Sequence, residues 1–246
     1  MTSEAGRLAR TLPDVPRWVE TRSMLLSGEC EVLGLEEKGG LSFVVREPGA
    51  DPVYASVVGR PSEDAIAVAV AHACEGGEVL AVPEDCSYVA AVLRGWSSVN
   101  AVLHTLGDAP RLPAASEGSV RLTSSLEALG SLPPGLRSEL EDAVEISPVA
   151  AAFIDGRAVS FCYAGAQTEG LWDVAIDTLE EYRNRGHAGR CVAYMNEHMR
   201  RRGKRPVWGA EETNQASLSL ASKLGFVPVD ELIVFHAPAD RPSGLR

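Results

Sequence analysis

Arg183, Asn184, Arg185, Gly186, His187 and Ala188 stand in an order suited to binding an anion. They follow a strand-like run, Trp172 to Thr178, and they open a helix-like run, Ala188 to Arg200. A glycine in such a turn lets the backbone approach a ligand with no side chain in the way. The first turn of a helix leaves N–H groups without intrahelical partners, and with the helix dipole they form a phosphate or pyrophosphate site. Arg183, Arg185 and Arg190 add positive charge beside it. The run is neither G-x-x-x-x-G-K-[ST] nor G-x-G-x-x-G, so a nucleoside triphosphate loop and a dinucleotide fingerprint are both unsupported.

A second constellation lies downstream. Pro206 to Glu211 reads as a short strand, and Asn214 opens a run in which Leu218, Ala221 and Leu224 recur three apart, as on one helix face. Gly225 suits the left-handed residue at a helix C-terminus, and Val227 to Phe235 reads as a closing strand.

The two runs together resemble the GNAT superfamily of acyl-CoA-dependent N-acetyltransferases. Arg183, Gly186 and Ala188 fill its R/Q-x-x-G-x-G/A signature, and Asn214 to Phe226 resembles its second motif, N-x-x-[AS]-x-x-L-x-x-K-x-G-F. The order of strand, pyrophosphate turn, helix, strand, Asn-led helix, Gly-Phe and strand is similar to the family over residues 171–236.

The resemblance implies transfer of an acetyl group from acetyl-CoA, as co-substrate, to a primary amine of a small molecule or protein. Its cofactor arm would run along the strand ending at Ile176 and Thr178. The backbone of Asn184 to Gly189 (Asn184, Arg185, Gly186, His187, Ala188, Gly189) would cradle the pyrophosphate beside Arg183, and Asn214 would supply a side-chain contact. Direct transfer needs a base for the amine proton, donors for the developing oxyanion and an acid for the thiolate. By analogy Asp173 is the first candidate base and Glu211 the second; each also reads as a structural carboxylate. Glu169 and Asp177 are further carboxylates of the same region. The chain departs from the family at Ala221, where the usual acid is a tyrosine. Another residue or water then protonates the thiolate, or activity is reduced or absent. An acyl-CoA-binding sensor without turnover and a protein-interaction module therefore stand as alternatives. His187 is expected to face solvent or the cofactor, His236 reads first as a structural histidine, and Trp172 and Trp208 read first as packing residues, with shaping of an acceptor pocket as the alternative.

Composition agrees with a globular enzyme. Apolar residues make up 45% of the 246, and no apolar run reaches the roughly 18 residues that span a membrane. Met1 to Arg10 lacks the apolar core of a signal peptide, and the five scattered cysteines contain no C-x-x-C. A cytoplasmic protein with free thiols and no metal is expected. The formal net charge of −11 argues against nucleic acid as a partner and suits a cationic amine acceptor. The basic run Arg200 to Arg205 reads as a solvated helix end or as a holder of the coenzyme A 3′-phosphate. A monomer or homodimer is expected.

The elements that must position these residues suggest a tandem α/β (α+β) architecture with a mixed, mostly antiparallel sheet. In the second half, Leu126 to Ala143 reads as helix broken at Pro133-Pro134, then Val149 to Ile154, an Asp155-Gly156 hairpin turn, and Arg157 to Gly165 as strands. In the first half, Leu41–Arg46, Val53–Gly59, Glu78–Val82 and Val99–Leu106 read as strands. Ser62–Ala73 and Cys86–Leu93 read as helices, and Gly95-Trp96 echoes Gly225-Phe226. The expected division is a degenerate N-terminal copy over 1–112 and a catalytic copy over 113–246. The first copy has lost the turn, because Glu63 and Asp64 stand where a pyrophosphate would lie.

Overall fold

A computed structural model describes residues 3–114 and 119–239. In the first half the chain runs α1 (Glu4–Thr11), α2 (Val19–Ser27), β1 (Glu31–Glu36), β2 (Ser42–Arg46), β3 (Tyr54–Val58), α3 (Glu63–Ala69), β4 (Glu78–Ala81), α4 (Cys86–Val92) and β5 (Ser97–Leu106). The second half runs β6 (Val120–Thr123), α5 (Pro134–Ile146), β7 (Val149–Ile154), β8 (Arg157–Gln167), β9 (Leu171–Thr178), α6 (His187–Arg200), β10 (Arg205–Glu211), α7 (Gln215–Leu224) and β11 (Phe226–His236).

All the strands join one 11-stranded sheet in the order β1-β2-β3-β4-β11-β5-β10-β9-β8-β7-β6. The order is nearly palindromic about the β11–β5 pair. In the first half, Ala55 pairs in parallel with Val79, and Val79 pairs antiparallel with Phe235. In the second, Asp173 pairs in parallel with Val207, and Val207 pairs antiparallel with Thr105. The two halves are thus repeats that exchange their last strands: β11 completes the first half and β5 the second. The sequence points to the repeat, but it hides the exchange.

Residues alternate faces along each strand. One face buries Trp172, Val174, Trp208 and Ala210 against Cys191, Val192 and Met195 of α6 and Ala221 and Leu224 of α7. On the same face, Val79 and Ala81 pack against α3 and α4 through Ile66 and Val89. The opposite face meets α5 through Leu140 and Phe161, and it meets α1 and α2 through Leu8, Leu25 and Phe43. Val19 of α2 is buried between Leu171 and Val207. Composition and periodicity leave α1, α2, β1 and β6 unread. α2 has apolar residues all round, and β1 and β6 are short edge strands with weak alternation.

Local signals hold where a single residue sets the geometry. Ser62 caps α3, its Oγ accepting from the Ala65 N–H at 3.3 Å. Asp155 and Gly156 both take positive φ, 48° and 81°, as a tight hairpin demands.

The N-terminal segment is fastened to the second half by polar groups. Asp14 accepts from Thr168 Oγ1 at 2.6 Å and from the Gly170 N–H at 2.9 Å. Arg17 makes a two-pronged pair with Asp230 at 2.8 and 2.5 Å. The buried Arg22 guanidinium donates to the carbonyls of Ala9 and Leu12 and reaches Glu169 at 2.5 Å.

Candidate functional site

β9 and β10 run parallel and stay paired only from Arg205–Leu171 to Val207–Asp173. Beyond Asp173 they part. Val174, Ile176 and Thr178 of β9 and Trp208 of β10 then line a cleft of about 700 Å³. The β9 edge facing β8 is paired, with Cys162 opposite Ile176 and Ser160 opposite Thr178. The edge facing β10 is left without a strand past Asp173. An extended ligand can pair with that edge through backbone groups, as an added strand does.

The cleft ends at the turn. Gly186 is the N-cap of α6 with φ 78° and ψ 7°, and no side chain caps the helix there. A Cβ at Gly186 would meet nothing within 4 Å, so positive φ rather than crowding calls for glycine. Asn184 also takes positive φ, 61°. Asn184, Gly186, His187, Ala188 and Gly189 line the cleft with uncapped helix N–H groups nearby, the electrostatics an anion seeks.

The flanking side chains have definite roles. Arg183 lines the cleft and donates from Nε to the Thr178 carbonyl at 3.2 Å, closing the end of β9. Arg185 lies outside the cleft lining and stacks over the Tyr182 ring at 5.6 Å. His187 is buried, 6% exposed, with Nδ1 2.8 Å from Arg190 Nη2 and its ring edge-on to Tyr182. Burial and the charges of Arg190 and Arg185 lower its pKa, so the imidazole is held neutral. It therefore faces the cleft and not bulk solvent. Gly189 has a packing role besides lining: a Cβ there would come within 3.2 Å of Leu224 Cδ2. Asn214 caps α7, its Oδ1 accepting from the Ser217 N–H at 3.1 Å, and it lines the cleft.

The two candidate bases, Asp173 and Glu211, lie on the other face of the sheet, toward α2. Asp173 sits where β9 and β10 part. Its carboxylate accepts from the N–H groups of Gly209 and Val174, yet burial dominates and raises its pKa. Two glycines flank it: a Cβ at Gly165 would fall 3.1 Å from Asp173 Oδ2, and one at Gly209 4.0 Å from Oδ1. Glu211 Oε1 lies 2.7 Å from His236 Nε2, and His236 Nδ1 lies 3.6 Å from Glu78 Oε1. His236 is thus a structural bridge between carboxylates of the two halves. Glu169 is held by Arg22, and Asp177 accepts from Tyr163 Oη at 2.8 Å, which gives both structural partners.

Sequence reasoning missed Glu20, Glu78 and Lys223. Lys223 lines the cleft from α7. Glu20 lies on α2, where burial first, then the charges of Asp173 and Glu78, raises its pKa. The pKa of Glu78 is raised chiefly by burial. Lys223 stands at the lysine of the second motif, a local signal that was there to be read, whereas Glu20 is brought toward Asp173 and Glu78 only by tertiary packing and carries no local signal. Trp172 and Trp208 are packing residues, 0% and 2% exposed; the indole of Trp208 donates to Ser217 Oγ at 2.9 Å. Ala221 is fully buried in the core beneath the cleft. The basic run near Arg200 is solvated, with Arg200 and Arg201 paired to Glu197.

Parted parallel strands leading to an uncapped helix N-terminus define a mixed α/β protein with a cleft suited to an extended anionic ligand. Residues 150–235 match the family model described as GNAT acetyltransferase. Among solved structures, the chain resembles a GCN5-related N-acetyltransferase-like protein from Streptococcus suis 89/1591, at TM-score 0.62 and 19% identity over 94% of this chain and 97% of that one. A GCN5-related N-acetyltransferase from Kribbella flavida is similar at TM-score 0.60 and 16% identity over 100% of both chains. A tandem GNAT protein from the clavulanic acid biosynthesis pathway, without AcCoA, is similar at TM-score 0.50 and 14% identity over 85% of this chain and 82% of that one. No curated protein matches the chain. The chain thus shares the fold of these solved structures, and its residues 150–235 carry the GNAT acetyltransferase match. Among the described residues, no helix is long and apolar enough to cross a membrane.

Proposed function

We propose that the protein is an acetyl-CoA-dependent N-acetyltransferase acting on a primary amine of a small molecule or protein, in the cytoplasm, as a monomer or homodimer. The observation that carries this reading is the parting of β9 and β10 above the left-handed turn at Gly186. The cofactor arm pairs along Ile176 to Thr178. Its pyrophosphate takes the N–H groups from Asn184 to Gly189, with Arg183 and Asn214 as side-chain contacts. Arg185 contributes charge from outside the cleft.

The acceptor approaches the opposite face. There Asp173 takes the amine proton, and its raised pKa suits a base working near neutrality. Glu211 is the second candidate, tied to His236. Gly165 and Gly209 flank Asp173 closely, a Cβ at either falling within 4.0 Å of its carboxylate, so larger residues there would crowd it. The division into a degenerate unit, 1–112, and a catalytic unit, 113–246, belongs to the same reading. The first unit lacks a cleft because β3 and β4 stay paired through Val57–Ala81, two residues past the point equivalent to Asp173–Val207.

A second reading, an acyl-CoA sensor without turnover, is favoured by one observation. The tyrosine position of the second motif is the buried Ala221, so no hydroxyl stands there to protonate a thiolate. Calorimetric titration of acetyl-CoA into the wild type and Gly186→Glu tests the site. Binding in the wild type and its loss in the variant support it; an unresponsive wild type overturns it. Release of free thiol with amines separates enzyme from sensor.

A further inference from the structure

One ring nitrogen of His236 and one carboxylate oxygen each from Glu78 and Glu211 lie within 4.8 Å of one another. The sheet brings them together. His236 of β11 stands directly opposite Glu78 of β4, and opposite residues of an antiparallel pair share a face. β5 runs between β11 and β10, with Ser97 opposite His236 and Ala101 opposite Glu211. The side chains of His236 and Glu211 lean over β5 and meet at 2.7 Å, Nε2 to Oε1, while His236 Nδ1 lies 3.6 Å from Glu78 Oε1. Glu78 comes from the first half of the chain, and Glu211 and His236 come from the second. None of the three lines the cleft.

This cluster is short of a cation. Among the described residues, no lysine or arginine pairs with Glu78 or Glu211. A neutral imidazole has one N–H. With that N–H on Nε2 and donated to Glu211, the Nδ1 lone pair faces an oxygen of Glu78; the other tautomer turns the same opposition on Glu211. A divalent ion that takes one imidazole nitrogen and one oxygen from each carboxylate relieves both. Ligands about 2.1 Å from one ion stand roughly 3.4 Å apart in a tetrahedral set, so small side-chain rotations close the site. Thr213 Oγ1 donates to the other oxygen of Glu211, Oε2, at 3.1 Å, which orients that carboxylate and leaves Oε1 for the ion. The three side chains are between 31% and 38% exposed, so water can fill a remaining position.

We propose that Glu78, Glu211 and His236 form a divalent transition-metal site, of the class that takes Zn²⁺, which fastens the two halves of the chain together. Imidazole suits zinc and its neighbours, whereas Mg²⁺ and Ca²⁺ take oxygen ligands. With the ion bound, β4, β10 and β11 are held by one centre, and an ion that binds only the folded chain stabilises it by mass action. The sequence hides the site, because its ligands fall at positions 78, 211 and 236 with no ligand spacing to mark them. Under the acyl-transfer reading Glu211 is then a ligand and Asp173 the one base; the metal site itself stands without that reading.

Calorimetric titration of ZnCl₂ into the chelator-stripped full chain tests the site, in the wild type, Glu78→Gln, His236→Asn and Cys74→Ser. Cys74 is the control, an exposed thiol 3.1 Å from Asp51 that could take zinc by itself. The wild type is expected to bind one Zn²⁺ per chain, to hold it against excess MgCl₂ and to melt at a higher temperature with it. Glu78→Gln and His236→Asn should each weaken binding more than about 10-fold and lose the thermal shift, and Cys74→Ser should change neither. No zinc binding in the wild type would overturn the site and leave His236 as an ion-pair bridge alone. Binding that both ligand variants keep, or that Cys74→Ser loses, would overturn it too. Melting curves without metal identify a variant that fails to fold, and the other variant then decides. CoCl₂ gives a reading on the wild type with no variant: the absorption of nitrogen and oxygen ligation is expected, and a sulfur-to-cobalt charge-transfer band would overturn the site.

Discussion

Gly186 is the residue on which the anion site turns, and the structure separates the two reasons for glycine there. A Cβ has open space, so the cost of a side chain is the left-handed backbone alone, roughly 1–2 kcal/mol. Gly186→Ala should therefore fold with a small loss of stability and retain acetyl-CoA binding. Gly186→Glu should pay the same backbone cost and lose binding, because its carboxylate opposes the pyrophosphate; melting curves beside calorimetry resolve the two. Glu20 makes the second prediction at this scale. Its folded pKa is raised above the unfolded value of about 4.3, so its contribution to stability is full below that value and is lost as pH rises through the folded pKa. Glu20→Gln should accordingly gain stability relative to the wild type as pH rises from about 4 toward 8. A stability difference that stays flat with pH would refute a raised Glu20.

At the scale of elements, α6 and α7 meet through Gly189, and the fit is close. A Cβ 3.2 Å from Leu224 Cδ2 forces the helices apart unless Leu224 gives way. Gly189→Val is expected to cost about 1–3 kcal/mol, as overpacking does, and to weaken acetyl-CoA binding by moving the first turn of α6. Denaturant unfolding and calorimetry measure the two effects. The contrast between β3–β4 and β9–β10 bears on stoichiometry. The pairs Ser56–Leu80 and Val57–Ala81 hold the first half shut, whereas the second half opens after Asp173–Val207. One acetyl-CoA per chain is expected, and a second site of similar affinity would show that the first half opens in solution.

At the scale of the molecule, the exchange of β5 and β11 makes the halves interdependent. Without β11, the pairs Ile233–Ala81 to His236–Glu78 disappear and β4 becomes a bare edge; without β5, β10 is bared in the same way. Exposed strand edges invite aggregation. Residues 1–112 and 113–246 expressed apart should each be poorly soluble, and their co-expression should restore a complex that binds acetyl-CoA. Two well-folded, separately soluble halves would contradict this account. The same exchange brings Glu20 and Glu78 of the first half to Asp173, Glu211 and His236 of the second. Polar fasteners, Asp14 with Thr168 and Gly170 and Arg17 with Asp230, keep that junction in register.

The sequence by itself determined what depends on local chemistry. A glycine able to take positive φ, an uncapped helix start, an Asn cap at 214 and a glycine stop at 225 are written within a few residues, and the turn, the helices and the strands that carry them follow. The repeat was legible too, because Gly95-Trp96 and Gly225-Phe226 end equivalent helices at similar spacing. Which strand lies beside which was not legible. β5 and β11 have similar apolar patterns, and either half offers the same edge, so only the packing of the whole sheet decides between pairing at home and pairing across. Burial decided the rest. The raised carboxyl of Glu20 depends on burial and on Asp173, and the bridge from His236 to Glu78 joins groups more than a hundred residues apart. Desolvation and charge act through space and leave no trace in sequence spacing.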